Sequence, residues 1–206
     1  SLVIPCFNQV DFVAECIESV LNQSVPCEII FVCDGATDNS LDIVRKYESR
    51  GIKIINQVNK GLSSARNTGI MNATGDYILP LDADDMLTEN AIERITQVIE
   101  ETDADVIAPS IKCFGLYSDT IILMQNPTIE DFKVANRIPY CSAIRRSKLL
   151  EIGGYSPRMT TGFEDYHLWF NLLLRGARIK TISEVLFLYR TKEKSMYHDA
   201  LEHKDE

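Results

Sequence analysis

Short apolar runs alternate with stretches of helical period along the first half of the chain. Residues 2–4 form a strand-like run that ends at Pro5. Phe12, Val13, Cys16, Ile17, Val20 and Leu21 then recur at spacings of three and four, one face of a helix. Residues 28–33 are continuously apolar after Glu28, the pattern of a strand covered on both faces. The turn Asp34-Gly35-Ala36-Thr37-Asp38-Asn39-Ser40 follows, and its last residues suit the cap of a helix running to about Arg50. Residues 52–55 predict a third strand, 62–72 a helix and 77–81 a fourth strand. Thr88 or Glu89 opens a helix to about Glu101, and 106–109 reads as a fifth strand. Strands alternating with helices in this way imply right-handed crossovers and an α/β fold with a mostly parallel sheet.

After about Cys113 the pattern loosens. Residues 120–124 read as a strand, 129–136 as a short helix, 142–145 as an extended piece and 147–152 as a helix stopped by Gly153-Gly154. An amphipathic helix starts at Glu164 or Asp165 and runs through Arg175, closed by Gly176. Two short strands, 179–182 and 186–189, end the pattern, and the chain is polar from Lys192 onward. Because it begins at Ser1 inside an apolar run, without Met, the chain is expected to lack some residues at the front, and its polar tail is expected to be frayed or truncated.

The 206 residues are 45% hydrophobic and 25% charged, as in a soluble globular protein, with 21 basic against 30 acidic side chains and a net charge of −9. So acidic a surface excludes a general nucleic-acid binder, whose affinity rests on Lys and Arg. No apolar stretch reaches the roughly 18 residues of a membrane span, and no signal peptide precedes the first strand. The six cysteines are scattered through apolar runs without the paired spacing of a zinc site. They read as buried small hydrophobes in a reducing compartment, which points to the cytoplasm, with peripheral association at the cytoplasmic membrane face left open.

Ligands of open parallel sheets bind beyond the carboxyl ends of the strands. Three of those ends carry unusual residues here: Pro5-Cys6-Phe7-Asn8, Asp34-Gly35 and Asp82-Ala83-Asp84-Asp85. Neither a Gly-x-Gly-x-x-Gly turn nor a Walker-type phosphate loop is present. Three carboxylates within four residues repel one another unless a cation or a helix N-terminus offsets them, and such oxygen ligands suit Mg²⁺ or Mn²⁺. The plainer alternative is an Asp-rich turn capping the next helix. A second pair of acids, Glu164-Asp165, opens an apolar helix just after Gly162, downstream of Gly153-Gly154-Tyr155. First-turn acids favoured by the helix dipole are the alternative there.

Taken together, these segments resemble the catalytic domain of a family 2 glycosyltransferase. The matching residues include Val3-Ile4-Pro5-Cys6-Phe7-Asn8, Ser19-Val20-Leu21-Asn22-Gln23-Ser24, Phe31-Val32-Cys33-Asp34-Gly35, Gly61-Leu62-Ser63-Ser64-Ala65-Arg66-Asn67, Gly75-Asp76, Asp82–Asp85, Gly153-Gly154-Tyr155 and Glu164-Asp165, in family order over about residues 1–190. The resemblance implies the GT-A fold, a Rossmann-like, mostly parallel central sheet flanked by helices with a smaller mixed acceptor-side portion. It divides the chain into a nucleotide-sugar-binding half (1–112), an acceptor-side half (113–191) and a polar tail (192–206).

The resemblance also implies a role for each site residue. Phe7, where relatives usually carry Tyr, stacks on the nucleotide base, with Pro5 and Asn8 on the donor side beside it. Asp34 accepts from the uracil N3–H. Asp84 is the direct ligand of Mn²⁺ or Mg²⁺, and Asp82 contacts ribose or sugar. Arg66 either helps hold the donor or makes a helix salt bridge. Asp165 is the general base toward the acceptor, with Glu164 supporting it or touching the acceptor. The implied reaction is an inverting single displacement from a nucleotide-sugar donor, expected to be UDP-linked, to a saccharide or lipid-linked acceptor in polysaccharide or glycoconjugate synthesis.

Two positions depart from the family pattern. The usual double Asp after the second strand is Cys33-Asp34, and the usual Tyr-Arg-x-His is Tyr189-Arg190-Thr191-Lys192. Protonated Lys192 is no metal ligand but is able to touch the diphosphate, so metal dependence is expected to be weaker than in relatives with the His. His198 substitutes only if the tail folds back. The competing readings are a catalytically silent nucleotide-sugar-binding relative and a sugar-phosphate nucleotidylyltransferase. The latter needs a Gly-rich basic segment after the first strand that Pro5-Cys6-Phe7-Asn8 does not offer.

Overall fold

The computed structural model describes residues 1–160 and 162–193. In chain order the elements are β1 (Leu2–Cys6), α1 (Val13–Leu21), β2 (Ile29–Asp34), α2 (Ser40–Arg45), β3 (Ile52–Gln57), α3 (Leu62–Asn72), β4 (Tyr77–Pro80), β5 (Met86–Leu87) and α4 (Ala91–Thr102). The second half adds β6 (Val106–Gly115), β7 (Asp119–Ile121), α5 (Ile129–Phe132), β8 (Ala143–Arg145), α6 (Arg146–Ile152), α7 (Glu164–Leu174) and β9 (Ile179–Thr191).

One sheet carries all the strands, in the order β3-β2-β1-β4-β8-β6-β9-β5, with β7 added to β6. The pairs β1–β2, β2–β3 and β1–β4 are parallel, so the carboxyl ends of these four strands lie on one rim. Beyond β4 the sheet is mixed: β8 runs antiparallel to both β4 and β6, whereas β9 runs parallel to β6. Alternation of side chains along each strand sorts the core into two layers. Leu2, Ile4 and Cys6 of β1 pack with Ile29, Phe31 and Cys33 of β2 against α1 and α4, while Val3, Ile30 and Val32 pack on the other face with α3, α6 and α7. Burial on both faces is why β1 and β2 read as unbroken apolar runs. All six cysteines are free thiols, five of them buried and Cys27 half-buried. No helix among the described residues is long and apolar enough to cross a membrane.

The structure departs from the sequence expectations mostly at boundaries. Helix α2 stops at Arg45, and a separate 3₁₀ turn, Glu48–Arg50, leads to left-handed Gly51. The stretch expected as a strand over 120–124 is the three-residue β7, and the helix expected over 129–136 is the single turn α5. The two final strands are one strand of 13 residues, β9. Its polar Ser183-Glu184 reads as a turn, but the pair lies where β9 bulges, the partners in β9 jumping from Ile182 to Val185 as β6 passes from Pro109 to Ser110. Pro109 has no N–H to give a regular ladder, so a bulge is the economical solution there. Pairing resumes beyond the bulge, Ser110 with Val185, so β6 does not end at Pro109 but continues to Gly115 beside β9.

Candidate active site

A cavity of about 590 Å³ opens on the rim formed by β1, β2 and β4. That is within the range of small-molecule sites. Pro5 and Phe7 wall it after β1, Asp34 at the end of β2, Leu62 and Ala65 of α3 along its side, and the 82–85 loop after β4. The end of β9 closes it with Tyr189, Arg190 and Lys192. Phe7 is 46% exposed, so its ring is free to receive a flat apolar partner.

Asp34 is buried, and its carboxylate ties down the segment between β3 and α3. Oδ1 accepts from Gln57 Nε2 at 2.7 Å and from the Lys60 N–H at 2.9 Å, while Oδ2 accepts from the Gly61 N–H at 2.9 Å. Three of its roughly four lone-pair sites are used, which leaves one on Oδ2 for a ligand donor. Gly35 follows with φ +68°, and a Cβ there would meet the Asn59 backbone nitrogen at 2.6 Å, so a side chain is excluded. Asn8, expected on the donor side, does not line the cavity. It adopts φ 53° and accepts from the Thr37 N–H at 2.8 Å. Its side chain ties the loop that follows β1 to the turn that follows β2.

The strongest assembly is a buried guanidinium. Arg66, 1% exposed on α3, donates through Nη2 to Asp82 at 2.8 and 3.0 Å and through Nη1 to Glu164 at 2.6 Å. The rings of Tyr140 and Tyr155 lie against it, 4.9 and 5.1 Å from Cζ to the ring centroids. Of the two uses the sequence left open for Arg66, the structure shows the salt bridge from α3, made to Asp82 and Glu164, so that it sits behind Asp82 and joins two distant motifs. Burial acts against its charge, but Asp82, Tyr155 and Glu164 overbalance it and hold its pKa well above the usual value. Burial also pushes Asp82 up to about 6, against the pull of Arg66 and with Asp84 adding to the rise.

Gly153-Gly154-Tyr155 now has a physical role. The Asn67 side chain donates to the Tyr155 carbonyl and accepts from the Tyr155 N–H, both at 2.8 Å, and this fixes the ring on Arg66. Tyr140 was invisible in the sequence because it sits in the irregular segment between α5 and β8. It donates its hydroxyl proton to Asp85 and accepts from the Asp82 N–H at 3.1 Å. Asp85 also accepts from the Arg190 N–H at 2.6 Å, so the Asp-rich loop clamps the end of β9.

At the start of α7, Phe163 is held at φ 60°, an uncommon conformation for a bulky residue. Glu164 is buried against Arg66, and Asp165 beside it is half-buried. Asp165 accepts from Asn136 Nδ2 at 2.9 Å through Oδ2 and from the Tyr166 N–H at 2.7 Å through Oδ1. Neither acid is part of the cavity wall. Burial first, and the Glu164 charge second, raise the Asp165 carboxyl above the ordinary carboxylate range.

Asp84, the residue expected to ligate Mn²⁺ or Mg²⁺, and the acids beside it do not fit a divalent cation. Asp82 is committed to Arg66, Asp85 to Tyr140 and Arg190, and Asp84 Oδ2 to the Lys192 ammonium. A divalent ion about 4 Å from that ammonium would meet roughly 8 kcal/mol of repulsion at an effective dielectric of about 20. Among the described residues no group of three or more His, Cys, Asp or Glu side chains is arranged to hold a metal. His198, the alternative ligand, lies outside the described residues.

Comparison with known proteins places this geometry. Over 208 aligned positions the chain is 29% identical to a poly(ribitol-phosphate) beta-glucosyltransferase of Bacillus spizizenii, covering 93% of this chain and 32% of that protein. The match covers between 10% and 37% of the length of its curated relatives, about a third for this one. S. aureus TarS 1-349 in complex with UDP-GlcNAc shares its fold with a TM-score of 0.85 at 20% identity, covering 95% of this chain and 60% of that one. A mannosyltransferase from Pyrobaculum calidifontis, in complex with GDP-Man and Mn²⁺, matches with a TM-score of 0.73 at 16% identity, covering 96% and 58%. The model of the glycosyl transferase family 2 matches residues 1–167. With its parallel rim, Asp-rich loop and curled mixed sheet, the chain has the GT-A fold and belongs to glycosyl transferase family 2.

Proposed function

We propose that this chain is the catalytic domain of an inverting glycosyltransferase that moves a sugar from a UDP-linked donor to a hydroxyl of a growing polymer or glycoconjugate. One observation carries the reading: Arg66 joins Asp82, on the cavity wall, to Glu164, in the first turn of α7. Acids from motifs some eighty residues apart are thereby held beside a cavity of nucleotide-sugar size. The names of the relatives support a sugar donor and a polymer acceptor, since one is a poly(ribitol-phosphate) beta-glucosyltransferase and another was solved with UDP-GlcNAc.

In this reading residues 1–112 supply most of the donor site, with the base on Phe7 and the uracil N3–H on the remaining Asp34 lone pair, and Tyr189, Arg190 and Lys192 close it. Residues 113–191 serve the acceptor. The acceptor oxygen attacks the anomeric carbon from the face opposite the diphosphate. The carbon–oxygen bond to the diphosphate breaks, its electron pair leaves with the nucleoside diphosphate, and the hydroxyl proton passes to Asp165. Two of the Asp165 lone-pair sites are used by Asn136 and the Tyr166 N–H, which orients the carboxylate and leaves room for a hydroxyl. A raised Asp165 pKa makes it a stronger base than an exposed carboxylate.

The test is nucleoside diphosphate release from a panel of UDP-sugars with polymer and lipid-linked acceptors, comparing wild type with Asp165→Asn. Turnover by wild type, with kcat reduced by about 10²–10⁴ in the variant and UDP affinity unchanged, is the expected result. Nucleotide binding with no turnover on any pair would instead identify a silent nucleotide-sugar-binding relative.

A further inference from the structure

We propose that the Lys192 ammonium, fixed on Asp84, supplies the positive charge for the donor diphosphate, so that donor binding needs no divalent cation. This rests on the donor reading above. Lys192 stands at the end of β9, where its Nζ pairs with Asp84 Oδ2 and lies 5.0 Å from the centroid of the Phe12 ring. It lines the cavity and is 25% exposed, against 18% for Asp84. The ammonium is therefore held in place from the protein side and open toward the ligand. Of its three N–H donors, the Asp84 pair engages one, which leaves donors for phosphate oxygens.

The support around Lys192 is specific. Arg190 donates from Nε to the Asp84 carbonyl at 2.7 Å and from Nη2 to Glu15 at 2.5 Å, with its guanidinium against Phe12 and Phe114. Asp85 binds the Arg190 N–H. The Asp-rich loop and the end of β9 are thus locked to each other through three contacts, and the cation carried by that strand end is pre-positioned. A carboxylate paired with a fixed ammonium stands where a carboxylate-bound metal ion was expected. The net charge near Asp84 is offset by the chain's own residue.

Calorimetric titration of the chain with UDP, in excess EDTA and in excess Mn²⁺, tests the assignment on wild type, Lys192→Ala and Lys192→Arg, with circular dichroism confirming the fold of each. Wild type should bind UDP equally in both media, within about twofold, and Lys192→Ala should weaken binding by about tenfold or more. Lys192→Arg, which keeps the charge, should retain most of the affinity. Tightening of wild-type binding by about tenfold or more on adding Mn²⁺ overturns the proposal, and so does equal affinity of wild type and Lys192→Ala in EDTA. Failure of wild type to bind UDP in either medium is a different result, and it strikes the donor reading itself.

Discussion

Arg66 shows how one side chain sets the electrostatics of a site without touching its contents. Two carboxylates from separate motifs share its guanidinium, and two tyrosine rings cover it. Removing one partner of such a buried pair generally costs about 3–5 kcal/mol because the other charge is stranded. Lys does not substitute for the planar fork that reaches both carboxylates. Glu164, neutralised by Arg66, still raises the Asp165 carboxyl, after the larger effect of burial. The sign of the consequence follows directly. A base must be deprotonated, so activity should fall as pH drops through the raised Asp165 pKa, with an acid limb above the ordinary carboxylate value of 3.8. For stability the same shift works the other way: the folded state holds the Asp165 proton more tightly than the unfolded state. The favourable contribution is complete below the unfolded value and is lost as pH rises through the folded one. A kcat/KM profile against pH, paired with melting curves of wild type and Asp165→Asn, checks both. An acid limb at or below the ordinary carboxylate range would remove Asp165 from the role of base.

At the scale of elements, the close fit of the 153–155 segment against α3 determines whether Tyr155 reaches Arg66. Gly154 has φ +75°, and a Cβ there would lie 2.3 Å from Asn67 Oδ1. Gly154→Ala should therefore displace the Asn67 amide and break its two bonds to Tyr155. A loss of roughly 1–3 kcal/mol is expected, read as a fall in Tm of about 2–12 °C for a chain of this size. An unchanged Tm would show that this contact is slack. The strands and helices of the first half were legible because each buries a full face and so carries a clear period. Gly153-Gly154-Tyr155 was legible only as a motif, since its partner Asn67 lies 88 residues away. The two-residue β5 is too short to show any period. In β9 the exposed Ser183-Glu184 pair imitates a turn, and only the pairing with β6 reveals a continuous strand. Tyr140 left no signal, because its role depends on a contact with Asp85 that long-range topology creates.

For the molecule as a whole, a net charge of −9 is unfavourable to a bound diphosphate. The structure gathers Asp34, Asp82, Asp84 and Asp85 on one rim, with Glu164 tied to it through Arg66, and gives each a partner: Asp82 and Glu164 pair with Arg66, Asp84 with Lys192, Asp85 with Tyr140 and Arg190, and Asp34 with backbone amides. The sequence identified these acids and Lys192, but not the ion pair that Lys192 makes with Asp84. The cavity draws on both halves of the chain: the parallel strands of the first half end at it, and the end of β9 closes it, while Asn136 holds Asp165 at the start of α7. The most direct measurement of the central claim is a crystal structure of the chain soaked with a UDP-sugar. The account predicts uracil against Phe7 with its N3–H on Asp34, the diphosphate on Lys192, and the sugar directed toward Asp165. A donor bound away from this rim, or with its diphosphate out of reach of Lys192 and its sugar turned from Asp165, would contradict it.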